Sequence, residues 1–176
     1  YNIDIAESLK NAGRLIKETG AQAVKIEGGK RSLETIKRII SLEIPVVGHL
    51  GLTPQSVNSM GGFKIQGKTE KDAKTIIKDA KDLEKAGVFC IVLEGVPASL
   101  GKKVTEAVDI PIIGIGAGKD VDGQVLVYYD MLGYTKWVPK FVKKYENIGQ
   151  KSVKAIEKYV DEVKKGEFPK KENIYH

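Results

Sequence analysis

The stretch Val88-Phe89-Cys90-Ile91-Val92-Leu93-Glu94-Gly95 decides the fold. From Val88 to Leu93 no polar residue interrupts it. An unbroken apolar run of this length is a strand buried on both faces, and such strands belong to parallel sheets covered by helices. Upstream, Glu70 to Ala86 has helical spacing and is closed by Gly87, so helix leads directly into strand.

The same alternation extends in both directions. Ile5 to Thr19 predicts a helix, with Ile5, Leu9, Ala12 and Ile16 on one face and Gly20 ending it. Ala23 to Glu27 predicts a strand, Ser32 to Ser41 a helix with Ser32 as its N-cap, and Pro45 to Leu50 a second strand. Gly51 to Thr69 is polar and aperiodic. Leu100 to Val108 predicts a helix, Pro111 to Ile115 a strand, Gln124 to Tyr129 a fifth strand, and Lys151 to Lys165 a last helix.

Strands alternating with helices fit either an open doubly wound sheet or a closed (β/α)8 TIM barrel. Polar or glycine-rich turns follow strand after strand: Glu27-Gly28-Gly29, His49-Leu50-Gly51, Glu94-Gly95 and Gly114-Ile115-Gly116-Ala117-Gly118. A barrel gathers chemistry from several strand ends in this way, whereas an open sheet concentrates it at one switch point. A full barrel takes eight strands and about 250 residues. Residues 1–176 are therefore expected to be a single domain, the C-terminal portion of a barrel (about strands 4 to 8), with the first strands preceding Tyr1.

Composition narrows the function. The chain has 29 basic and 23 acidic residues and a net charge of +6, but Arg14, Arg31 and Arg38 are its only arginines. Lysine interleaved with acidic residues is a solvated helical surface, not a nucleic-acid groove. No apolar run is long enough to span a membrane. One cysteine, Cys90, excludes an internal disulfide and a cysteine-rich zinc site, and a reducing cytoplasm is the expected compartment.

Three residues stand out as candidates for chemistry. Lys25 and Glu27 are two apart on one strand and so share a face, where they either pair with each other or bind something charged. Glu94 ends an apolar strand; a lone carboxylate there suits a general base or acid. His49 has no second histidine at metal-ligand spacing, so a histidine zinc site is not expected; it reads as a hydrogen-bonded residue that, with the Gly114 to Gly118 turn, lines the pocket and takes no chemical step. The Gly114 to Gly118 turn lacks the full dinucleotide fingerprint. Cys90 is expected to pack as a small apolar residue.

Five segments, in order, resemble the ketopantoate hydroxymethyltransferase family: Val24-Lys25-Ile26-Glu27-Gly28-Gly29, Gly48-His49-Leu50-Gly51-Leu52-Thr53-Pro54-Gln55-Ser56, Leu93-Glu94-Gly95-Val96-Pro97, Ile112-Ile113-Gly114-Ile115-Gly116-Ala117-Gly118 and Asp122-Gly123-Gln124-Val125-Leu126-Val127. Gly166-Glu167-Phe168-Pro169 resembles the family's C-terminal tail. The resemblance implies a TIM barrel of the phosphoenolpyruvate/pyruvate superfamily. It implies transfer of a hydroxymethyl group from 5,10-methylenetetrahydrofolate to 3-methyl-2-oxobutanoate, giving 2-dehydropantoate in pantothenate biosynthesis. A divalent cation, usually Mg2+, chelates the keto acid in that family. Carried over, Lys25 matches the substrate-binding lysine, Glu27 the acidic residue at the metal and Glu94 the catalytic base. Two aspartates that complete the family's metal site lie on early strands and have no counterpart here. The expected partners are the small 2-oxo acid and folate, with no nucleic acid or membrane, in a homo-oligomer that acts as part of a longer chain. The alternatives are a non-catalytic assembly subunit or remnant of the family, and another 2-oxo acid lyase or mutase of the superfamily.

Overall fold

The computed structural model describes residues 4–175. They form two compact units, one ending at Val125 and the other beginning at Leu126. The first unit holds a five-stranded sheet in the order β1-β2-β3-β4-β5, with every neighbouring pair parallel. The strands are β1 (Val24–Glu27), β2 (Val46–Gly51), β3 (Cys90–Glu94), β4 (Ile112–Ile115) and β5 (Gly123–Gln124). Strand order follows chain order without reversal. The sheet therefore has no switch point, which rules out the doubly wound alternative and matches the winding of a barrel wall.

Helix α1 (Ile5–Thr19) precedes β1, and α2 (Leu33–Ile40), α3 (Glu70–Lys85) and α4 (Ala98–Thr105) connect the strands that follow. Side chains fix the ends of α1 and α3. Asp4 accepts the Glu7 amide at 2.8 Å to start α1, and Gly20, at φ 72°, ends it. Thr69 accepts the Asp72 amide at 3.1 Å to start α3. At the far end of α3, Glu84 Oε1 accepts the Asp109 amide at 2.6 Å and ties down the turn into β4.

The register divides the sheet into two chemical faces. Val24, Ile26, Val46, Leu50, Ile91, Leu93 and Ile112 point to one side and pack with Ala12, Ile36, Ile39, Leu83, Leu100 and Val104 of the helices. Ile91, Leu93, Ile36 and Leu83 are fully buried; each such side chain contributes about 1.5–3 kcal/mol. Gly48 lies in this layer, where a Cβ would stand 2.9 Å from Leu83 Cδ1. The opposite face carries Lys25, Glu27, Val47, His49, Cys90, Val92, Glu94 and Ile113, and here polar groups gather.

Two expectations need correction. Gln124 to Tyr129 is not one strand: β5 stops at Gln124, and the chain then turns into a short helix, α5 (Tyr128–Met131). What holds β5 beside β4 is Asp122, whose Oδ2 accepts the Ile112 amide at 2.8 Å while its own amide donates to the Ile112 carbonyl at 3.1 Å. Ser32 does not cap α2 with its side chain. Its hydroxyl instead donates to the Glu27 carbonyl at 2.8 Å, and a single 3-10 turn over Lys30–Ser32 leads into the helix. Ser32 is thus spent on holding the end of β1.

The second unit contains α5 and a long helix, α6 (Ile148–Lys164). Tyr134 sits edge-on to Tyr129 at 5.4 Å between ring centroids, and the Ile148 amide donates to the Leu132 carbonyl at 2.9 Å. No helix among the described residues is long and apolar enough to cross a membrane.

Candidate active site at the strand ends

Parallel register and period-two alternation bring the candidates together. Glu27 of β1 pairs with His49 of β2, and His49 pairs with Val92 of β3. Glu94 lies one step further along β3 on the same face, opposite Gly51. Gly51 has φ 85°, and a Cβ there would stand 2.2 Å from the Glu94 carbonyl oxygen. Only glycine lets the chain leave β2 so close to Glu94. Hydrogen bonds continue the ladder past the strands: the Gly28 amide donates to the His49 carbonyl at 2.9 Å, Leu52 to Glu94 at 2.8 Å and Gly95 to Ile115 at 2.9 Å. The rim of the site is therefore held by backbone rather than by mobile loops.

Within it, Lys25 Nζ is 3.2 Å from His49 Nδ1 and 4.0 Å from Glu27 Oε1. His49 Nδ1 is 3.5 Å from Glu27 Oε1, and its Nε2 is 3.2 Å from Glu94 Oε2. Glu27 Oε2 accepts the Gln55 amide at 3.0 Å, which anchors the loop after β2. Exposure differs sharply across the group. The side chains of Glu27 and His49 are 6% and 2% exposed, those of Glu94 and Lys25 15% and 47%. The cluster thus has a buried floor of Glu27 and His49, with Lys25 and Glu94 reaching toward solvent.

Lys25 and Glu27 do share a face, but their direct ion pair is long, and Lys25 lies nearer to His49 Nδ1 than to Glu27. Glu94 is not the lone carboxylate its sequence context implies, because His49 stands against it. His49 was expected to line a pocket; what the sequence reading did not foresee is its contact with Lys25 and its approach to both carboxylates. Cys90, on the same face, has its thiol pushed up by burial, with the nearby Asp122 carboxylate adding to the effect; such a thiol is a poor nucleophile.

A divalent cation finds an incomplete site here. Among the described residues, no group of three His, Cys, Asp or Glu could hold a metal ion. Both Glu27 oxygens already face donors, Oε2 the Gln55 amide and Oε1 the Lys25 ammonium. Glu27 is a single carboxylate, short of a chelating set.

A singly wound parallel α/β sheet with an acid, a base and a cation at its carboxyl ends is the layout of a barrel-type enzyme. The sequence profile of ketopantoate hydroxymethyltransferase matches residues 1–171, and the chain belongs to that family. It is 56% identical over 176 residues to 3-methyl-2-oxobutanoate hydroxymethyltransferase of Clostridium beijerinckii, with 99% of this chain and 64% of that protein covered. To the protein of the same name from Caldicellulosiruptor saccharolyticus it is 57% identical, covering 99% of this chain and 66% of that protein. The chain thus spans a little under two thirds of the length of these relatives. Among solved structures, a dihydrodipicolinate synthase from Bacillus anthracis superposes with a TM-score of 0.47 at 18% identity, over 64% of this chain and 39% of that one.

Proposed function

We propose that the protein containing this chain transfers a hydroxymethyl group from 5,10-methylenetetrahydrofolate to 3-methyl-2-oxobutanoate, giving 2-dehydropantoate. The single observation that carries this reading is the convergence of Lys25, His49 and Glu94 on one sheet face, within a chain of this family.

The methine hydrogen beside the ketone of a 2-oxo acid is weakly acidic, and its removal needs a positioned base. Glu94 takes that proton, and the C–H electron pair becomes an enolate. Lys25, the most exposed member of the cluster, faces the substrate and neutralises negative charge on its oxygens. The enolate carbon then bonds to the one-carbon unit of the folate, tetrahydrofolate leaves, and water supplies the hydroxyl oxygen. A divalent cation such as Mg2+ polarises the keto oxygen when bound. Glu27 would be this chain's contribution to holding it, and further ligands would be needed beyond the described residues. The reading also takes the protein as a homo-oligomer that works on small molecules in the cytoplasm.

The test is exchange of the substrate's methine hydrogen into deuterated water without folate, followed by NMR. Glu94→Gln should slow exchange by about 10²–10⁴-fold while leaving keto-acid binding nearly intact. Exchange at the wild-type rate refutes the assignment.

A further inference from the structure

The proton arrangement at His49 follows from its neighbours. Lys25 Nζ lies 3.2 Å from His49 Nδ1. An ammonium donates and cannot accept, so Nδ1 must be the acceptor in that contact. A neutral imidazole has one N–H, which then has to be on Nε2. Nδ1 is also 3.5 Å from Glu27 Oε1, beyond a good hydrogen bond, with the Lys25 ammonium 4.0 Å from that oxygen, so the shorter Lys25 contact decides the role of Nδ1. On the other side of the ring, Nε2 is closed off from solvent and forms no aligned hydrogen bond, although Glu94 Oε2 is only 3.2 Å away. The distance suits a hydrogen bond and the angle does not. A modest turn of the Glu94 carboxylate, which is 15% exposed, completes it, whereas the His49 ring, 2% exposed, is fixed by packing. Hydrogen bonds of catalytic groups are often misaligned without substrate and tighten in the complex.

We infer that His49 is the positioning residue of the site: its Nε2–H, set by the Lys25 contact to Nδ1, holds the Glu94 carboxylate at the angle from which it removes the substrate proton. This rests on the assignment of Glu94 as the base. It gives Lys25 a second task, since the lysine that faces substrate also sets which ring nitrogen faces the base. It also explains a buried imidazole placed between two carboxylates, which a packing role does not require.

The experiment compares two substitutions of similar size in the full-length protein. The amide nitrogen of His49→Gln reaches the place of Nε2 and can still donate to Glu94. That of His49→Asn ends near Nδ1 and cannot. The methine exchange assay should show His49→Asn reduced about 10–100-fold, the usual cost of losing a supporting partner, with keto-acid binding changed less than about twofold. His49→Gln should recover most of the loss. A role in packing alone predicts equal losses in the two variants, and that result overturns the inference. In the wild-type protein, nitrogen NMR of histidine-labelled material, assigned by the signals missing in His49→Asn, should show the proton on Nε2. A proton on Nδ1 overturns the inference whatever the exchange rates of the two variants. Glu94→Gln run alongside separates the two failures: wild-type exchange in that variant sinks the base assignment itself, whereas its loss, together with equal His49 variants, sinks only the positioning role.

Discussion

Replacing glycine by alanine in two helices of this chain should have opposite effects, and the structure gives the reason. At Gly101 in α4, an added Cβ would stand 2.0 Å from the carbonyl oxygen of Ala117, in the turn after β4. Real Cβ contacts do not fall below 3.0 Å, so helix and turn must part by about 1 Å. The turn resists, because Ala117 is fully buried and the neighbouring Gly116 carbonyl accepts the Val96 amide at 3.1 Å. Parting also loosens Leu100 and Val104, which are 3% and 0% exposed. Forced overpacking costs about 1–3 kcal/mol, against a gain in helix propensity of about 1 kcal/mol. The clash is with backbone, so the cost lies at the upper end, and a net loss of about 1–2 kcal/mol is expected. At Gly13 in α1 nothing lies within 4 Å of the added carbon, and only the propensity gain of about 0.5–1 kcal/mol remains. In urea unfolding, with a slope of about 2 kcal/mol/M, Gly101→Ala should lower the midpoint by about 0.5–1 M and Gly13→Ala should raise it by about 0.25–0.5 M. Shifts of the same sign in both variants would show that close approach at α4 does not govern Gly101.

Two further outcomes are expected. Burial raises the Asp79 carboxyl above its ordinary value, more than the Lys30 amide contact lowers it. The folded state then holds this proton more tightly than the unfolded chain, so Asp79 lowers stability as pH rises from about 4 toward its raised value. Asp79→Asn, which keeps an acceptor for the Lys30 amide, should flatten that fall; urea midpoints between pH 3.5 and 7 with the same slope as wild type would contradict it. Glu27→Ala should require more Mg2+ for half-maximal activity, and an unchanged magnesium titration would leave Glu27 only the role of anchoring the Gln55 amide.

How far the site was legible in the sequence depends on which distances along the chain are involved. Lys25 and Glu27 share a face because side chains alternate, which two residues on one strand suffice to show. Glu94 was visible as the polar end of an apolar strand. The pairing of Glu27 with His49, and of Gly51 with Glu94, depends on how three strands align side by side, and nothing local to any strand encodes that. His49 therefore read as an isolated histidine although it touches Lys25 and stands against both carboxylates. The short β5 was overread for a related reason. Val125 and Val127 have strand-forming side chains, but the ladder ends with the Val125 amide on the Gly114 carbonyl, and both side chains remain exposed at 43% and 50%. Ser32 has the residue type of a cap, yet its hydroxyl donates to the Glu27 carbonyl at 2.8 Å and makes no cap bond to α2.

Gly48 shows what aims the chemistry. It has no side chain and lies on the helix side of β2, facing away from Glu27 and Glu94. Sliding β2 by one residue would bring Val47 or His49 under Leu83, where even a methyl carbon would stand at 2.9 Å, and would turn the imidazole out of the cluster among the helices. The absent side chain works as a keyway: α3 accepts the strand in one position, and in that position His49 meets Lys25 and Glu94. Precision at the polar face is thus imposed from the apolar one, by a residue that no ligand would touch.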